Sequence, residues 1–336
     1  MKSIVFFNNK GGVGKTSLVY HVAWMLSELG LCVVMADLDP QANLTSMSLT
    51  DERLEQIWSQ SPRPTIYSTV APLLVRGTGD ILDQTPCYEL SESLFLIIGD
   101  LALANVEDEL SKRWPECSDG REAAFRVTSA FDRAIRNVGV RFKADVILVD
   151  IGPNLGAINR CSLIASDYVV VPMAPDLFSI QGLENMGPKL REWREQWRER
   201  KAKAPADMDF SLASGQMQPI GYVVSRHSVL AGGAVMAFQR WLDKAPSTYA
   251  RCVLNIEPDP KITVETDPNR LARLKDYRSL MPMAQERRKP IFKLRAADGA
   301  IGGHQQAVSD AYGDFERLAK KIVKRAGIDS LQNKTH

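Results

Sequence analysis

One stretch near the N-terminus limits the possible folds more than any other. Ser3–Phe7 is a short apolar, β-rich run, the pattern of a buried strand. Thr16–Leu29 places Leu18, Val22, Met25, Leu26 and Leu29 at helical spacing and ends at Gly30, a helix stop. Leu31–Ala36 is a second continuous apolar strand. Strand, helix and strand in so short a span form a βαβ unit, whose two strands run parallel. The turn inside it reads Asn9-Lys10-Gly11-Gly12-Val13-Gly14-Lys15-Thr16-Ser17. From Gly11 to Thr16 this is the G-x-x-x-x-G-K-[ST] loop in shortened form. Its glycines let successive backbone N–H groups curl inward, and the following helix aims its positive end at the same point. Gly11, Gly12, Val13, Gly14, Lys15, Thr16 and Ser17 are therefore candidate phosphate contacts. Lys15 is placed to reach the β- and γ-phosphates and the Thr16 hydroxyl to ligate Mg²⁺.

The rest of the chain continues the alternation. Strands are expected at Leu94–Ile98, Val146–Val149, Tyr168–Val171 and Ile220–Val224, and helices near Ala102–Lys112, Glu122–Val138, Leu183–Lys201 and Asp310–Arg325. Such a sequence predicts an α/β fold, a doubly wound and mainly parallel sheet with helices on both faces. Residues 50–90 and 228–282 are proline-rich and fit the rhythm poorly. They read as elaborations of one domain spanning 1–328, with 329–336 a polar tail, since neither holds enough periodic apolar sequence for its own core. The length of 336 residues is thus assigned to one elaborated domain rather than two.

Charge is uneven along the chain. Residues 1–168 carry 15 Lys/Arg against 21 Asp/Glu, and residues 169–336 carry 27 against 19, so a net charge of +2 hides an acidic half and a basic half. A basic half suggests a polyanionic partner. The five cysteines form no C-x-x-C pair, so neither a paired zinc site nor a disulfide framework is expected, and reduced thiols point to the cytoplasm. No apolar run approaches the ~18–20 residues of a membrane span, and the first residues lack a leader's cleavage site. The four histidines form no ligand motif, which disfavours a zinc hydrolase.

A second lysine, Lys10, precedes the first glycine. The run Lys10–Thr16 resembles the deviant Walker A motif of the ParA/MinD superfamily of nucleotide-driven dimerising ATPases. Three later stretches carry the same resemblance in order. Asp37-Leu38-Asp39-Pro40-Gln41 resembles the family's D-x-D-P-Q element, and Val146–Asp150 its Walker B strand. Ile151-Gly152-Pro153-Asn154-Leu155-Gly156 resembles the switch segment, with Gly152 where the first proline usually stands. Val170–Leu183 resembles the strand-to-helix crossing of the ParA branch, as do Thr65-Ile66-Tyr67 and Ile98–Leu101. The resemblance covers residues 1–190, returning weakly at Ile220–Ser225 and 283–324. It implies ATP/ADP and Mg²⁺ as cofactors, with Lys10, Lys15 and Asp39 as catalytic residues. Lys10 would reach the partner subunit's nucleotide across an ATP-bound homodimer, and Asp39 would orient the attacking water while Asp37 supports the loop. Thr16, Asp39 and Asp150 would serve the metal. The family builds its adenine pocket from late loops, where Arg226 and Pro290 are candidates; surface charge and a turn are their plainer readings.

The family's partners divide the remaining possibilities. Lys189–Lys203 carries seven basic and three acidic residues, with Leu190, Trp193 and Trp197 on one stripe. The stripe suits the core, leaving Arg191, Arg194, Arg198, Arg200 and Lys201 as candidates for non-specific DNA, a contact led by phosphates. Interleaved Glu192, Glu195 and Glu199 offer the alternative of a salt-bridged surface. Phe315–Ile328 is basic and amphipathic and could lie on a membrane as the MinD branch does. A packed final helix is the expectation, and no stable membrane association follows. Only nine residues precede Lys10, which argues against a preceding DNA-reading domain and a sequence-specific autorepressor. Cys161 alone near the switch argues against the family's iron–sulfur branch. The expected activity is slow ATP hydrolysis, stimulated by an adaptor or centromere-binding protein, that segregates or positions DNA or another large cargo in the cytoplasm, at the nucleoid if DNA is bound. The alternatives are a MinD-like membrane-associated ATPase and an ATP-dependent assembly switch without DNA binding.

Overall fold

The computed structural model describes residues 1–328 except 76, 78, 228–232 and 278, and leaves out the side chains of 226, 227 and 233–238. The expected tail at 329–336 and part of the 228–282 stretch lie outside the described residues. Eight strands form one sheet: β1 Lys2–Phe6, β2 Val33–Asp37, β3 Tyr88–Ser91, β4 Leu94–Ile97, β5 Val146–Asp150, β6 Tyr168–Met173, β7 Gln218–His227 and β8 Arg270–Lys275. Their order is β3-β4-β2-β5-β1-β6-β7-β8. Every pairing is parallel except β3 with β4. The doubly wound α/β reading is therefore what the chain adopts.

Alternation along each strand explains why both faces are covered. Ile4 and Phe6 of β1 point into one apolar cluster with Val22, Leu26, Phe315 and Ile322. Val5, next to them, and Phe7 just beyond β1 enter the other, with Phe131, Trp193 and Trp197. Burying a side chain such as Phe6 is worth roughly 1.5–3 kcal/mol, so a one-residue slip of β1 would interchange two filled cores and is strongly disfavoured. Helices Lys15–Glu28 and Gly303–Ala326 cover the first face; Ala130–Arg141 and Leu177–Lys201 contribute to the second. Phe315, Leu318, Ile322 and Val323 are all buried, so the basic helix Gly303–Ala326 packs into the fold as the last element among the described residues.

Several boundaries differ from expectation. The helix expected over 122–138 is two, Glu122–Thr128 and Ala130–Arg141, broken at Ser129 with φ −93° and ψ 4°. The helix expected from Ala102 opens as a 3₁₀ turn at Leu101–Val106 and becomes α-helical only at Glu107. The long helix starts at Leu177 rather than Leu183, because Asp176 caps it by accepting the Ser179 N–H at 2.9 Å. Both edge strands escape sequence patterning. β3 is four residues long, and β8 reads Arg-Leu-Ala-Arg-Leu-Lys, the charged character that edge strands carry. Thus the 228–282 stretch supplies a strand of the main sheet.

Candidate nucleotide site

The register across three adjacent strands builds the site. Phe6 lies level with Asp150, and Asp150 with Asp37. The turn leaving β1 therefore faces two carboxylates at the C-terminal ends of β5 and β2, the crevice where open parallel sheets bind ligands. Gly12 and Gly14 have φ of +74° and +86°, a conformation that side-chain-bearing residues rarely adopt. Lys15 is buried, its Nζ donating to the Lys10 carbonyl at 3.4 Å. Burial lowers its pKa, opposed by the charges of Asp150 and Asp39. The first limb of the loop is pinned to β6: Asn8 Nδ2 donates to the Pro172 carbonyl at 2.8 Å, and its Oδ1 accepts the Lys10 N–H at 2.9 Å. Lys10 Nζ forms an ion pair with Asp176.

The carboxylates divide their tasks. Asp37 accepts the Thr45 N–H at 2.8 Å and the Thr45 hydroxyl at 2.7 Å on one oxygen, and the Asp39 N–H at 3.3 Å on the other. It is a brace for the turn after β2, and burial pushes its pKa up to about 7. Asp39 is buried, and one of its oxygens accepts the Gln41 N–H at 3.0 Å. Asp150 is fully buried, and neither of its oxygens has a well-formed hydrogen bond. Burial first, then the neighbouring Asp37 charge, raises its pKa; the Thr16 hydroxyl and Lys15 act the other way. A buried carboxylate without a partner, beside a hydroxyl and the glycine-rich loop, fits Mg²⁺, which takes one or two protein oxygens and completes its shell with phosphates and water. Among the described residues no group of three or more His, Cys, Asp and Glu side chains could hold a metal by itself.

The segment after β5 is clamped from two sides. Asn159 donates through Nδ2 to the Gly152 and Asn154 carbonyls, both at 2.7 Å. Glu107 accepts the N–H groups of Ala157 at 2.5 Å and Ile158 at 2.9 Å, closing the start of helix Ala157–Ile164. The departure at Gly152 also has a local reason. A Cβ there would stand 3.2 Å from Asp39 Oδ1, so the glycine lets the switch segment approach that carboxylate.

A cleft of about 410 Å³ opens beside the loop, lined by Gly14, Ser17, Ser225, Tyr277, Met281 and Phe315 among others. Ser225 Oγ is buried without a partner. Pro290 is not there: it lines a separate cavity with Trp24 and Tyr312, and the Arg226 side chain lies outside the described residues. The five candidate DNA contacts do not form a free cationic stripe. Arg191 donates to the Cys252 carbonyl, Arg194 to Met217 O at 2.6 Å, Arg200 to Trp114 O at 3.0 Å and Lys201 to Ala213 O at 3.1 Å. These side chains hold loops against the long helix. Arg198 extends into solvent, paired with Glu195. Trp193 and Trp197 are buried, as the apolar stripe predicts.

Asn8, Glu107, Asn159 and Asp176 were not singled out from sequence. Asp176 carried a signal, an acidic residue three positions before Ser179 at a helix start. Glu107 carried none, because its partners lie 50 and 51 residues away.

Comparison with known proteins agrees with this geometry. A family model described as an AAA domain matches residues 1–202. Protein IncC of Escherichia coli is 35% identical over 190 residues, covering 55% of this chain and 44% of IncC. The probable plasmid-partitioning protein ParA of Thermus thermophilus is 31% identical over 191 residues, covering 56% of this chain and 50% of that one. The matched stretch is thus about half the length of these relatives. A putative plasmid partition protein from Borrelia burgdorferi, solved bound to AMPPNP, shares the fold with a TM-score of 0.58 at 17% identity, covering 96% of this chain and 98% of its own. The phosphate loop with its leading lysine, the carboxylates level across β5 and β2, and these matches place the chain in the AAA-domain family and, within it, the ParA-like branch of the ParA/MinD superfamily.

Proposed function

We propose that the chain is a Mg²⁺-dependent ATPase that dimerises on ATP, binds DNA non-specifically and uses hydrolysis to segregate or position DNA or another large cargo. The observation that carries this reading is the meeting of Lys10, Lys15, Thr16, Asp39 and Asp150 at the C-terminal ends of β1, β2 and β5. The backbone N–H groups from Gly11 to Ser17 and Lys15 hold the phosphates. Thr16 and Asp150 supply oxygens for Mg²⁺, with Asp39 nearby; the ion, when bound, neutralises charge on the phosphoryl group. Asp39 orients the attacking water, and Lys10 serves the nucleotide of a second subunit, so that positioning and charge neutralisation supply the catalysis. The cleft lined by Tyr277, Met281 and Phe315 takes the base.

Self-association has a surface to use. Leu155, Leu177 and Phe178 are exposed around the mouth of the site, Phe178 by 65%, on the end of the sheet that carries Lys10. For DNA, the support is the basic second half and the partition role in the relatives' names. Most of the Lys189–Lys203 cations are occupied, and in the cation-rich run 287–295 Arg288, Lys289 and Lys293 are paired with Asp51, Asp298 and Glu28, so the surface for DNA is Arg198 with the exposed Arg287 and Arg295. The unit extends over 1–328 and works in the cytoplasm with a stimulating adaptor. The apolar side of helix Gly303–Ala326 is inside the fold, which speaks against that helix lying on a membrane.

Two measurements on one sample test the reading. Light scattering should show a doubled mass with ATP and Mg²⁺ but not ADP, and Lys10→Ala should bind nucleotide yet stay monomeric. Equal ATP-dependent mass in both proteins would remove Lys10 from the interface. Binding to random duplex should require ATP and fall steeply between 50 and 200 mM salt, as contacts led by phosphates do. No ATP-dependent binding at low salt would favour an assembly switch without DNA.

A further inference from the structure

Lys10 is not waiting free at the edge of its loop. Its ammonium is paired with Asp176, a residue 166 positions later that stands at the junction of β6 and the long helix. That carboxylate cannot wander. Its other oxygen, Oδ1, caps the helix through the Ser179 N–H at 2.9 Å, its own N–H donates to Ala174 O at 2.9 Å, and the Ser179 hydroxyl accepts the Ala174 N–H at 3.1 Å. The carboxylate stands at the positive N-terminal end of a 25-residue helix. The lysine's backbone is equally held, because Asn8 ties it to the Pro172 carbonyl at the end of the same strand. Gly182 permits this closeness: a Cβ there would fall 2.6 Å from Asn8 Oδ1. Both ends of the ion pair are thus anchored to the C-terminal end of β6, and only the four-carbon stem of Lys10 is left to swing.

We propose that Asp176 is a positioning residue for Lys10. It stores the ammonium within its own subunit, away from its own phosphates, and yields it only when the polyphosphate of a second subunit competes for it. The proposal rests on the cross-subunit role of Lys10 given above. Its physical content is a competition between one carboxylate and a more highly charged polyphosphate for one ammonium. Removing the carboxylate's charge should therefore favour the dimer. The pair is partly exposed, with 26% and 38% of the two side chains accessible, so solvent screens it and the effect is a few-fold rather than a hundredfold.

The variant is Asp176→Asn, which keeps an N-cap oxygen for Ser179 and loses the charge. Full-length wild type, Asp176→Asn, Lys10→Ala and the double variant are titrated with ATP and Mg²⁺, following mass by light scattering and thermal stability in parallel. The expected result is that Asp176→Asn dimerises at an ATP concentration about two- to fivefold lower than wild type, a difference that shrinks at high salt. In the Lys10→Ala background Asp176→Asn should change nothing. An unchanged or raised ATP requirement in Asp176→Asn, at unchanged thermal stability, overturns the proposal. So does ATP-dependent dimerisation of the double variant when Lys10→Ala alone stays monomeric, which would make Asp176 act without the lysine. If Asp176→Asn loses thermal stability, Asp176→Glu decides: keeping the charge, it should restore the wild-type ATP requirement, and failure to do so overturns the proposal. Lys10→Ala dimerising like wild type would instead overturn the cross-subunit reading itself, so the two failures are distinguishable.

Discussion

His21 gives this fold a built-in pH dependence that can be isolated from every other group. It lies one turn beyond the phosphate loop, buried, with its ring stacked on Phe315 at 4.9 Å between centroids. The Ile291 N–H donates to Nε2 at 3.1 Å, so that nitrogen carries no proton; Nδ1 therefore holds it and donates to the Ser17 carbonyl at 2.7 Å. Protonating Nε2 would break the tie to Ile291 inside an apolar cluster. Burial accordingly pushes the pKa down to about 4 from its ordinary 6.5. With the folded value below the unfolded one, the unfolded chain binds more protons between pH 4 and 6.5. Stability from this group is complete above pH 6.5 and lost as pH falls toward 4. Between pH 7.5 and pH 5 the loss is ~2 kcal/mol, from 1.36 kcal/mol per unit. Asp37 and Asp132, whose pKa values burial raises to about 7 and about 6, pull in the opposite direction, so the wild-type profile alone is ambiguous. The informative quantity is the difference between wild type and His21→Gln in urea unfolding across that range. Wild type should lose ~2 kcal/mol more than the variant on going to pH 5. A difference that stays flat with pH would refute the neutral, doubly bonded histidine.

Two further outcomes follow from named contacts. Asp39→Ala should keep ATP-dependent dimers but lower turnover by roughly 100-fold or more; steady-state phosphate release at the wild-type rate would remove Asp39 from water positioning. Gly187→Ala places a Cβ 2.1 Å from the Cys252 carbonyl oxygen, a backbone atom that cannot rotate away, so it should destabilise by about 1–3 kcal/mol in urea unfolding.

The parts of the site that sequence made legible are those encoded by neighbouring residues. The phosphate loop needs glycines, a lysine and a hydroxyl at fixed spacing between one strand and one helix, and Asp37, Asp39 and Asp150 each end an apolar run. The six strands read from sequence are buried, nearly continuous apolar runs for the same local reason. Edge strands β3 and β8 lack that mark because one side of each meets solvent. The five candidate DNA contacts within Lys189–Lys203 show the limit from the other direction. Their helical spacing is readable, yet four of them donate to the carbonyls of Cys252, Met217, Trp114 and Ala213, residues brought to the helix only by the folded chain.

Composition and spacing thus determine that the chain forms a parallel α/β sheet with a phosphate loop and carboxylates at its strand ends, because backbone period and burial are local properties of the polypeptide. Which side chains remain free to act is a matter of long-range contact. The pairing of Lys10 with Asp176, the Glu107 cap on helix Ala157–Ile164, the approach of Gly152 to Asp39 and the tying of Arg191, Arg194, Arg200 and Lys201 to backbone carbonyls all depend on atoms brought together by the fold. Only packing of the sheet and its helices brings those atoms within hydrogen-bonding distance, where charge and desolvation act.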